Sequence, residues 1–320
     1  MEESTGMGID RIFNSGYYGF ENWIKLFLKF TLAVERTLTY MVRIVSDTST
    51  LYSTAQAWEA GFAVSPLSVT IGGQSYREFD EISPKEFVAK IHEGNLPTSS
   101  QPAVGEVEAL YQQFAGDEIL NITMADGLSG TYNGAVAAAQ VCDHEERITV
   151  LNSRTLCGPH RYLVENAVRL AAQGLSRAEI VAKTEALMAT STSYLMPADF
   201  EYLRRGGRLS PLVSYVGQTV RLAPVMTLTE DCRQLTAATI RRSYLQAVKY
   251  VEKALEKQGV GAGWRIYISH ADAQEKAEQA QELLKKTFPS AEYKILMLSP
   301  AFITQGGPGC VAIQVIRSEA

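Results

Sequence analysis

The chain has 320 residues, of which 46% are hydrophobic and 20% are charged. That length exceeds what one domain usually needs, and the composition is ordinary for a globular protein with a buried core. The net charge of −5 argues against a nucleic-acid-binding protein, because such a protein needs a basic surface to neutralise phosphates. The sequence contains no stretch of about 18 uncharged apolar residues, so it predicts no membrane-spanning helix.

The cysteines predict neither a metal site nor a disulfide framework. Cys142, Cys157, Cys232 and Cys310 contain no CxxC pair. No second pair of ligands accompanies them at the spacing of a zinc site. We therefore expect free thiols that behave as small hydrophobic residues in a reducing cytoplasm.

Residues 1–40 precede the first clear strand and form an N-terminal extension. Trp23, Leu26 and Phe30 recur at helical spacing, which predicts an amphipathic helix within residues 23–40. The N-terminus is acidic and lacks a small-residue cleavage site, so the segment is not a secretory signal peptide. The sequence leaves three interpretations of this segment open: a docking helix, a membrane-surface helix or a non-native leader.

From residue 41 onward, short β-branched runs alternate with longer helical patterns, which is typical of an α/β fold with a mainly parallel sheet. Gly72-Gly73 predicts the turn of a hairpin. Ser83 and Ser176 each begin a capping box that starts a helix. We expect strands in this half at residues 41–45, 62–71, 74–79, 118–124 and 148–151.

The second half of the chain shows a mixed α/β pattern, beginning with a short helix that ends at Gly206-Gly207. Further elements are strands at 225–229, 234–240, 264–269, 293–298 and 310–316 and helices at 244–257 and 272–286. We expect a first α/β domain at residues 41–196 with a mainly parallel sheet, and a second, mixed α/β domain at residues 197–320. A cleft between the two is the expected ligand site.

Three loops rich in hydroxyl groups follow strands or lead into helices, at residues 47–50, 98–102 and 127–132. Hydroxyl groups and the amides of a helix N-terminus together suit a carboxylate or a phosphate. Each loop taken alone is also explained as a helix N-cap, because Ser and Thr are preferred there. The three together predict an anion-binding cleft.

Familiar catalytic and nucleotide-binding motifs are absent from the sequence. There is neither a P-loop nor a dinucleotide-binding glycine motif after the first strand. His270 follows a strand, so a catalytic pair of Ser129 and His270 is one alternative, although no carboxylate partner can be assigned. The remaining histidines are expected at the surface: His92, His144 and His160.

Five motifs in this order resemble those of the DegV family. They are VSDTS at 45–49, PTSSQP at 97–102, LSGTY at 128–132, EYLRRGGR at 201–208 and GPG at 307–309. The resemblance covers residues 41–320. It implies a two-domain fold that holds one fatty acid, with the carboxylate inward and the acyl chain in an apolar tunnel. In bacteria it implies the acyl-carrying subunit of a fatty acid kinase, whose separate kinase subunit phosphorylates the bound acid.

The resemblance also implies which residues hold the ligand. Ser99 and Ser129 match the hydroxyl groups that bind the carboxylate, with Ser100, Gly130 and Thr131 beside them. A carboxylate that is buried without donors costs several kcal/mol, and short hydrogen bonds from hydroxyl groups offset that cost.

Two arginines and three substitutions bear on a kinase role. Arg208 and Arg241 match family arginines that serve the kinase partner or phosphoryl transfer; surface ion pairs are the alternative. Gln305 replaces a histidine near the head group and completes the candidate fatty-acid-binding set. Ala223 replaces a family lysine. Asp126 replaces a serine, and its carboxylate would repel an anionic ligand if it faced the site.

The sequence therefore predicts a cytoplasmic lipid-binding protein without a metal or cofactor, and not a complete enzyme. Its expected partners are a long-chain fatty acid, a kinase subunit that forms the acyl phosphate, and a transiently contacted membrane surface, with no nucleic acid. Two alternatives stay open: a hydrolase or phosphotransferase acting at Ser129 and His270, and a sensor of another amphipathic acid.

Overall fold

The computed structural model describes residues 41–211 and 222–319. The strands in these ranges are β1 Val42–Asp47, β2 Ala63–Ser65, β3 Ser68–Ile71, β4 Gln74–Arg77, β5 Thr98–Ser100, β6 Glu118–Thr123, β7 Ile148–Asn152, β8 Thr192–Met196, β9 Ala223–Leu228, β10 Leu235–Arg241, β11 Trp264–His270, β12 Glu292–Met297 and β13 Val311–Arg317. The α-helices are α1 Thr54–Glu59, α2 Pro84–His92, α3 Val104–Gln113, α4 Thr131–Gln140, α5 Cys157–Ala172, α6 Arg177–Met188, α7 Phe200–Gly206, α8 Tyr244–Gln258, α9 Gln274–Thr287 and α10 Pro300–Gly306. The amphipathic helix expected within residues 23–40 lies outside the described residues.

The first sheet consists of four parallel strands in the order β2-β1-β6-β7. Successive residues of a strand point to opposite faces. Ile44 of β1 accordingly packs with helices α1, α5 and α6, whereas Val45 packs with α3 and α4. Both faces of the sheet are therefore covered by helices, the usual arrangement for a parallel sheet.

The second sheet is mixed and has six strands in the order β10-β9-β8-β13-β11-β12. The pair β11 and β12 is parallel, and the other pairs are antiparallel. Helices α8 and α9 cover one face through a cluster that includes Val251, Leu284 and Ile313. Ala312 and Gln314 have the opposite parity on β13 and line a cavity on the other face. Helix α5 packs against β1 and also against β11 and β13, so it joins the two large sheets.

A third, smaller sheet contains three antiparallel strands in the order β4-β3-β5. Gly72 and Gly73 form the β3–β4 turn with φ of 59° and 77°, a left-handed conformation that glycine adopts without a steric penalty. This sheet packs against α2 and α10. It thereby brings β5, from the first half of the chain, next to a helix from the second half.

These observations confirm the predicted fold class, a parallel sheet followed by a mixed sheet. The capping boxes at Ser83 and Ser176 are both present. The single strand predicted at residues 62–71 is wrong: β2 belongs to the first sheet and β3 to the third, with Pro66 between them. Proline has no backbone N–H to donate, so it suits this crossing point.

The division into domains at residue 196 stays a prediction. Strand β8, which contains the last five residues of the expected first domain, hydrogen-bonds to β13 and so belongs to the second sheet. The cysteines are free thiols, and Cys142, Cys157 and Cys310 are buried. No helix within residues 41–211 and 222–319 is long and apolar enough to cross a membrane.

Candidate functional site

A cavity of about 370 Å³ lies among the second sheet, strand β5 of the third sheet and helix α10. Most of its wall is apolar and belongs to one hydrophobic cluster. The large apolar residues of the wall are Leu67, Met124, Leu128, Leu156, Leu195, Leu228, Leu235, Leu298 and Phe302. A concave, mainly apolar space of this size is typical of a site for a small organic ligand.

The polar residues that the sequence singled out meet on the wall of this cavity. Ser99 and Ser100 come from β5, Ser129 and Gly130 from the loop before α4, and Gln305 from the last turn of α10. Gln305 Nε2 donates a hydrogen bond to Ser99 Oγ at 3.2 Å, across 206 residues of sequence. These side chains therefore become neighbours only when the two halves of the chain pack together.

The loop before α4 presents hydroxyl groups at the start of a helix. Ser129 Oγ lies 2.8 Å from Thr131 Oγ1 and accepts a hydrogen bond from the Thr131 amide at 3.3 Å. Thr131 is buried behind Ser129 and does not itself line the cavity. The N-cap residue of α4 is Gly130, which offers no side-chain cap. The loop thus combines hydroxyl donors with the positive end of a helix dipole, an arrangement that suits an anion.

Gln101 also lines the cavity, although it is not among the fatty-acid-binding residues predicted from the sequence. A Cβ atom at Gly130 would lie 1.7 Å from Gln101 Oε1, and one at Gly134 would lie 2.7 Å from Gln101 Nε2. The Gln101 amide thus rests on the glycines at one end of α4. Two glycines four residues apart lie on the same face of a helix, and this spacing was the sequence feature that could have indicated a side chain packed against α4.

Gln305 is held in a similar way by a glycine of α7. A Cβ atom at Gly206 would lie 1.9 Å from Gln305 Oε1. This oxygen is buried and has no hydrogen-bond partner in the described part of the chain. The amide nitrogen is consequently the end that faces Ser99, so the substitution for histidine places a neutral donor at the polar end of the cavity.

The two candidate arginines lie in different surroundings. Arg208 lines the cavity, and its guanidinium donates to Leu128 O at 3.0 Å and to Gly206 O. It thereby ties the loop before α4 to the end of α7 and leaves a positive charge at the polar end. Arg241 is not on the cavity wall; its guanidinium stacks 4.9 Å from the ring centre of Tyr250. No salt bridge is formed by either arginine among the described residues.

The carboxylate of Asp126 does not face the cavity, so it is not placed to repel an anion there. Its carboxylate forms a 2.7 Å ion pair with Arg233 and lies off the cavity wall. Gly127 lets the chain approach the backbone of Arg233 closely, since a Cβ there would lie 2.2 Å from Arg233 Cα. Ala223, which replaces a family lysine, begins β9 and is also off the wall.

The hydroxyl-rich loop at residues 47–50 does not line the cavity either, although it was expected to contribute to the cleft. All four of its side chains are buried beneath the wall. Asp47 accepts hydrogen bonds from the Ser49 amide at 2.9 Å and the Met124 amide at 3.0 Å. The loop is therefore a cap that fixes the backbone behind the wall residue Met124.

His160 is fully buried, so its expected surface position is wrong; His144, only 7% exposed, is a second error. His160 Nδ1 accepts from the Ser49 hydroxyl at 2.6 Å, and Nε2 donates to Ile122 O at 3.0 Å. Burial lowers the pKa of His160 and favours the neutral ring that these bonds require. The sequence was misleading because it does not show whether a histidine in a helix has buried hydrogen-bond partners for its ring nitrogens.

Glu78 is a buried carboxyl group that directly supports the cavity wall. Thr48 Oγ1 donates to its Oε1, and the Ala301 amide of α10 donates to its Oε2 at 2.9 Å. Thr48 Oγ1 also accepts from the Leu67 amide at 3.0 Å. Burial raises the pKa of Glu78 to about 7, against the lowering effect of these hydrogen bonds. Both Leu67 and Ala301 line the cavity, so one carboxyl group holds two parts of its wall.

Nucleophilic catalysis receives no support from these contacts. His270 is not on the cavity wall, and its Nδ1 accepts a hydrogen bond from the Ala273 amide at 3.1 Å. Ser129 pairs with Thr131, and no hydrogen bond joins Ser129 to a histidine in the ranges that the structure describes. Those ranges also contain no cluster of three or more His, Cys, Asp or Glu side chains that could hold a metal ion.

Comparison with known proteins identifies the family. A family model described as "Uncharacterised protein, DegV family" matches residues 41–318. The chain belongs to the DegV family. A DegV domain-containing protein of Staphylococcus aureus is 28% identical over 277 residues, which cover 86% of this chain and 98% of that protein. The DegV protein of Bacillus subtilis is 26% identical and covers 85% of this chain and 98% of its own length.

Solved DegV structures share the fold described above. A DegV family protein from Thermus thermophilus, reported with its fatty acid binding, superposes with a TM-score of 0.79 at 27% identity, covering 87% of this chain and 99% of that one. The fatty-acid-binding DegV of Bacillus subtilis gives a TM-score of 0.78 at 25% identity, covering 87% and 100%. These neighbours show that the DegV fold accommodates a fatty acid in other members of the family.

Proposed function

We propose that this chain binds a long-chain fatty acid in the cavity, with the carboxylate at the end formed by Ser99, Ser129 and Gln305. The single observation that carries this proposal is the division of the wall. Hydroxyl and amide groups and the charge of Arg208 lie at one end, and leucines cover most of the remainder. An amphipathic acid has the same division between its head group and its chain.

The apolar wall accounts for retention of the chain. Burying about 15 methylene groups at ~0.8 kcal/mol each contributes up to ~12 kcal/mol before the costs of association. A polar ligand of equal size gains much less from walls such as those formed by Leu195, Leu228 and Leu235. The cavity therefore favours an acyl chain over a sugar or nucleotide.

The polar end accounts for the head group. A carboxylate only accepts hydrogen bonds, and the candidate donors there are the hydroxyls of Ser99, Ser100 and Ser129, the Gln305 amide and the Arg208 guanidinium. Charge-assisted hydrogen bonds of this kind are roughly twice as strong as neutral ones. They compensate for removing the carboxylate from water.

The bound acid is, in this proposal, presented to a separate kinase subunit that forms the acyl phosphate, and the chain supplies no catalytic group of its own. Two cationic side chains are proposed to serve that partner. Arg208 lies at the polar end of the cavity, and Arg241 lies outside the cavity at a half-exposed position. Loading of so insoluble a ligand would involve transient contact with a membrane surface in the cytoplasm.

The proposal is tested by extracting purified, full-length protein with organic solvent and identifying the extracted lipid by mass spectrometry. We expect close to one long-chain fatty acid per chain. Ala312→Phe places a large side chain on the cavity wall and should lower this ratio, while Ser290→Phe, at an exposed position, should not. A protein that yields no fatty acid, and that binds none when titrated, would refute the proposal.

A further inference from the structure

Two polar side chains interrupt the apolar wall on the second sheet. Gln314 of β13 and Ser193 of β8 are register partners, and both line the cavity. Gln314 is only 2% exposed. An amide in such a position is costly unless its hydrogen bonds are made, so its presence calls for a chemical reason.

The pair lies well away from the polar end of the cavity. Cys310, Ala312 and Gln314 alternate along one face of the strand and all line the cavity. Cys310 marks the head-group end, because its sulfur lies 2.6 Å from where a Cβ of Gly306 would be. At about 3.3 Å per residue, Gln314 lies about 13 Å further along the strand. An extended chain advances about 1.2 Å per bond, so that distance corresponds to about ten or eleven carbons.

Hydrogen-bond accounting leaves one free donor at this pair. Gln314 Nε2 donates to Leu156 O at 3.0 Å and to Ser193 Oγ at 2.9 Å, while Gln314 Oε1 accepts from the Gly158 amide at 3.3 Å. The amide is thus fixed by three bonds and orients the serine. The Ser193 hydroxyl proton has no acceptor among the described residues.

We infer that the acyl chain bound here carries an oxygen, as a hydroxyl or oxo group, about ten carbons from its carboxylate, and that Ser193 donates a hydrogen bond to it. This inference rests on the proposed function and narrows its ligand class. A saturated chain passing Ser193 would leave the hydroxyl unpaired against methylene groups. An oxygen at that point of the chain satisfies it, and Gln314 determines the direction in which Ser193 points.

The test compares three acids on delipidated, full-length protein by displacement of a fluorescent polyene fatty acid. They are octadecanoic acid, 10-hydroxyoctadecanoic acid and 3-hydroxyoctadecanoic acid, whose oxygen lies near the head group. We expect the 10-hydroxy acid to bind about five- to tenfold more tightly than octadecanoic acid, the ratio for one net hydrogen bond. The 3-hydroxy acid should show no such gain.

Ser193→Ala should abolish the preference for the 10-hydroxy acid, so that the 10-hydroxy acid and octadecanoic acid bind this variant equally. Ser191→Ala is the matched control, because Ser191 donates to Met188 O at 3.0 Å and is not on the cavity wall. Equal binding of the two C18 acids by the wild type, an equal gain for the 3-hydroxy acid, or a preference retained in Ser193→Ala would overturn the inference. Failure of every acid to displace the probe would instead contradict fatty acid binding itself.

Discussion

Replacing Glu78 with glutamine should stabilise the protein at alkaline pH and leave it nearly unchanged at acidic pH. Glu78 is fully buried, and its pKa rises from an ordinary value of 4.5 to about 7 because burial disfavours the charged form. Glutamine has the same shape. It can still accept the hydrogen bond from the Ala301 amide, and its NH₂ group can donate to Thr48 Oγ1.

The size of the effect follows from linkage between proton binding and folding. A raised pKa means that the folded protein holds the proton more tightly than the unfolded chain. The associated stability is therefore complete below pH 4.5 and is lost as pH rises through 7. At about 1.4 kcal/mol per pKa unit, the ionised carboxylate costs the fold on the order of 3 kcal/mol at pH 8. Glu78→Gln does not bear this cost.

The assay is urea-induced unfolding of wild type and Glu78→Gln at pH 5, 6, 7 and 8. The difference in unfolding free energy should grow in favour of the variant across this range and level off above pH 7. Glu86→Gln is the control: hydrogen bonds from Ser83 lower the pKa of exposed Glu86 from its ordinary value of 4.5, so the stabilisation by this carboxylate is complete above pH 4.5 and is lost only as pH falls below it. The Glu86→Gln difference should therefore stay constant from pH 5 to pH 8. A Glu78→Gln difference that stays constant with pH would refute the reasoning.

Four further substitutions test the polar end of the cavity. Ser129→Ala should weaken fatty acid binding by about 1–3 kcal/mol in a titration, and Ser99→Ala by a similar or smaller amount; unchanged affinity in both would mean that the carboxylate is held elsewhere. Gly206→Ala should displace the flexible Gln305 amide from Ser99 and weaken binding with little loss of stability in thermal unfolding; full affinity would show that this amide does not contact the head group. Gln305→His should raise acyl phosphate formation in an assay with a bacterial kinase subunit, and robust wild-type turnover that histidine does not improve would make the position dispensable.

Local patterns predicted the elements of this fold well. The capping boxes at Ser83 and Ser176 and the turn at Gly72-Gly73 depend on interactions within four residues, so the sequence contains all of the information. The prediction of a single strand at 62–71 was wrong because two short strands separated by Pro66 resemble one strand when their partners in different sheets are unknown.

The candidate binding residues came from motifs rather than from physical reasoning, and their binding role stays a prediction. Ser99, Ser129 and Gln305 were named from the resemblance to the DegV family, and they do line one cavity. Nothing in the spacing of these residues says that Gln305 meets Ser99, because 206 residues separate them. Only the packing of α10 against β5 decides that contact.

The sequence by itself determined the mixed α/β class, the alternation of strands and helices and the family, because these depend on local periodicity and on ordered motifs. Only the tertiary structure decided the electrostatic character of individual polar groups. Glu78 is an acid with a raised pKa, and Gln314 is an amide in the cavity wall, because residues as far as 223 and 158 positions away bury and bind them. Burial and partner are properties of the packed chain, and a pKa or an unpaired donor depends on both.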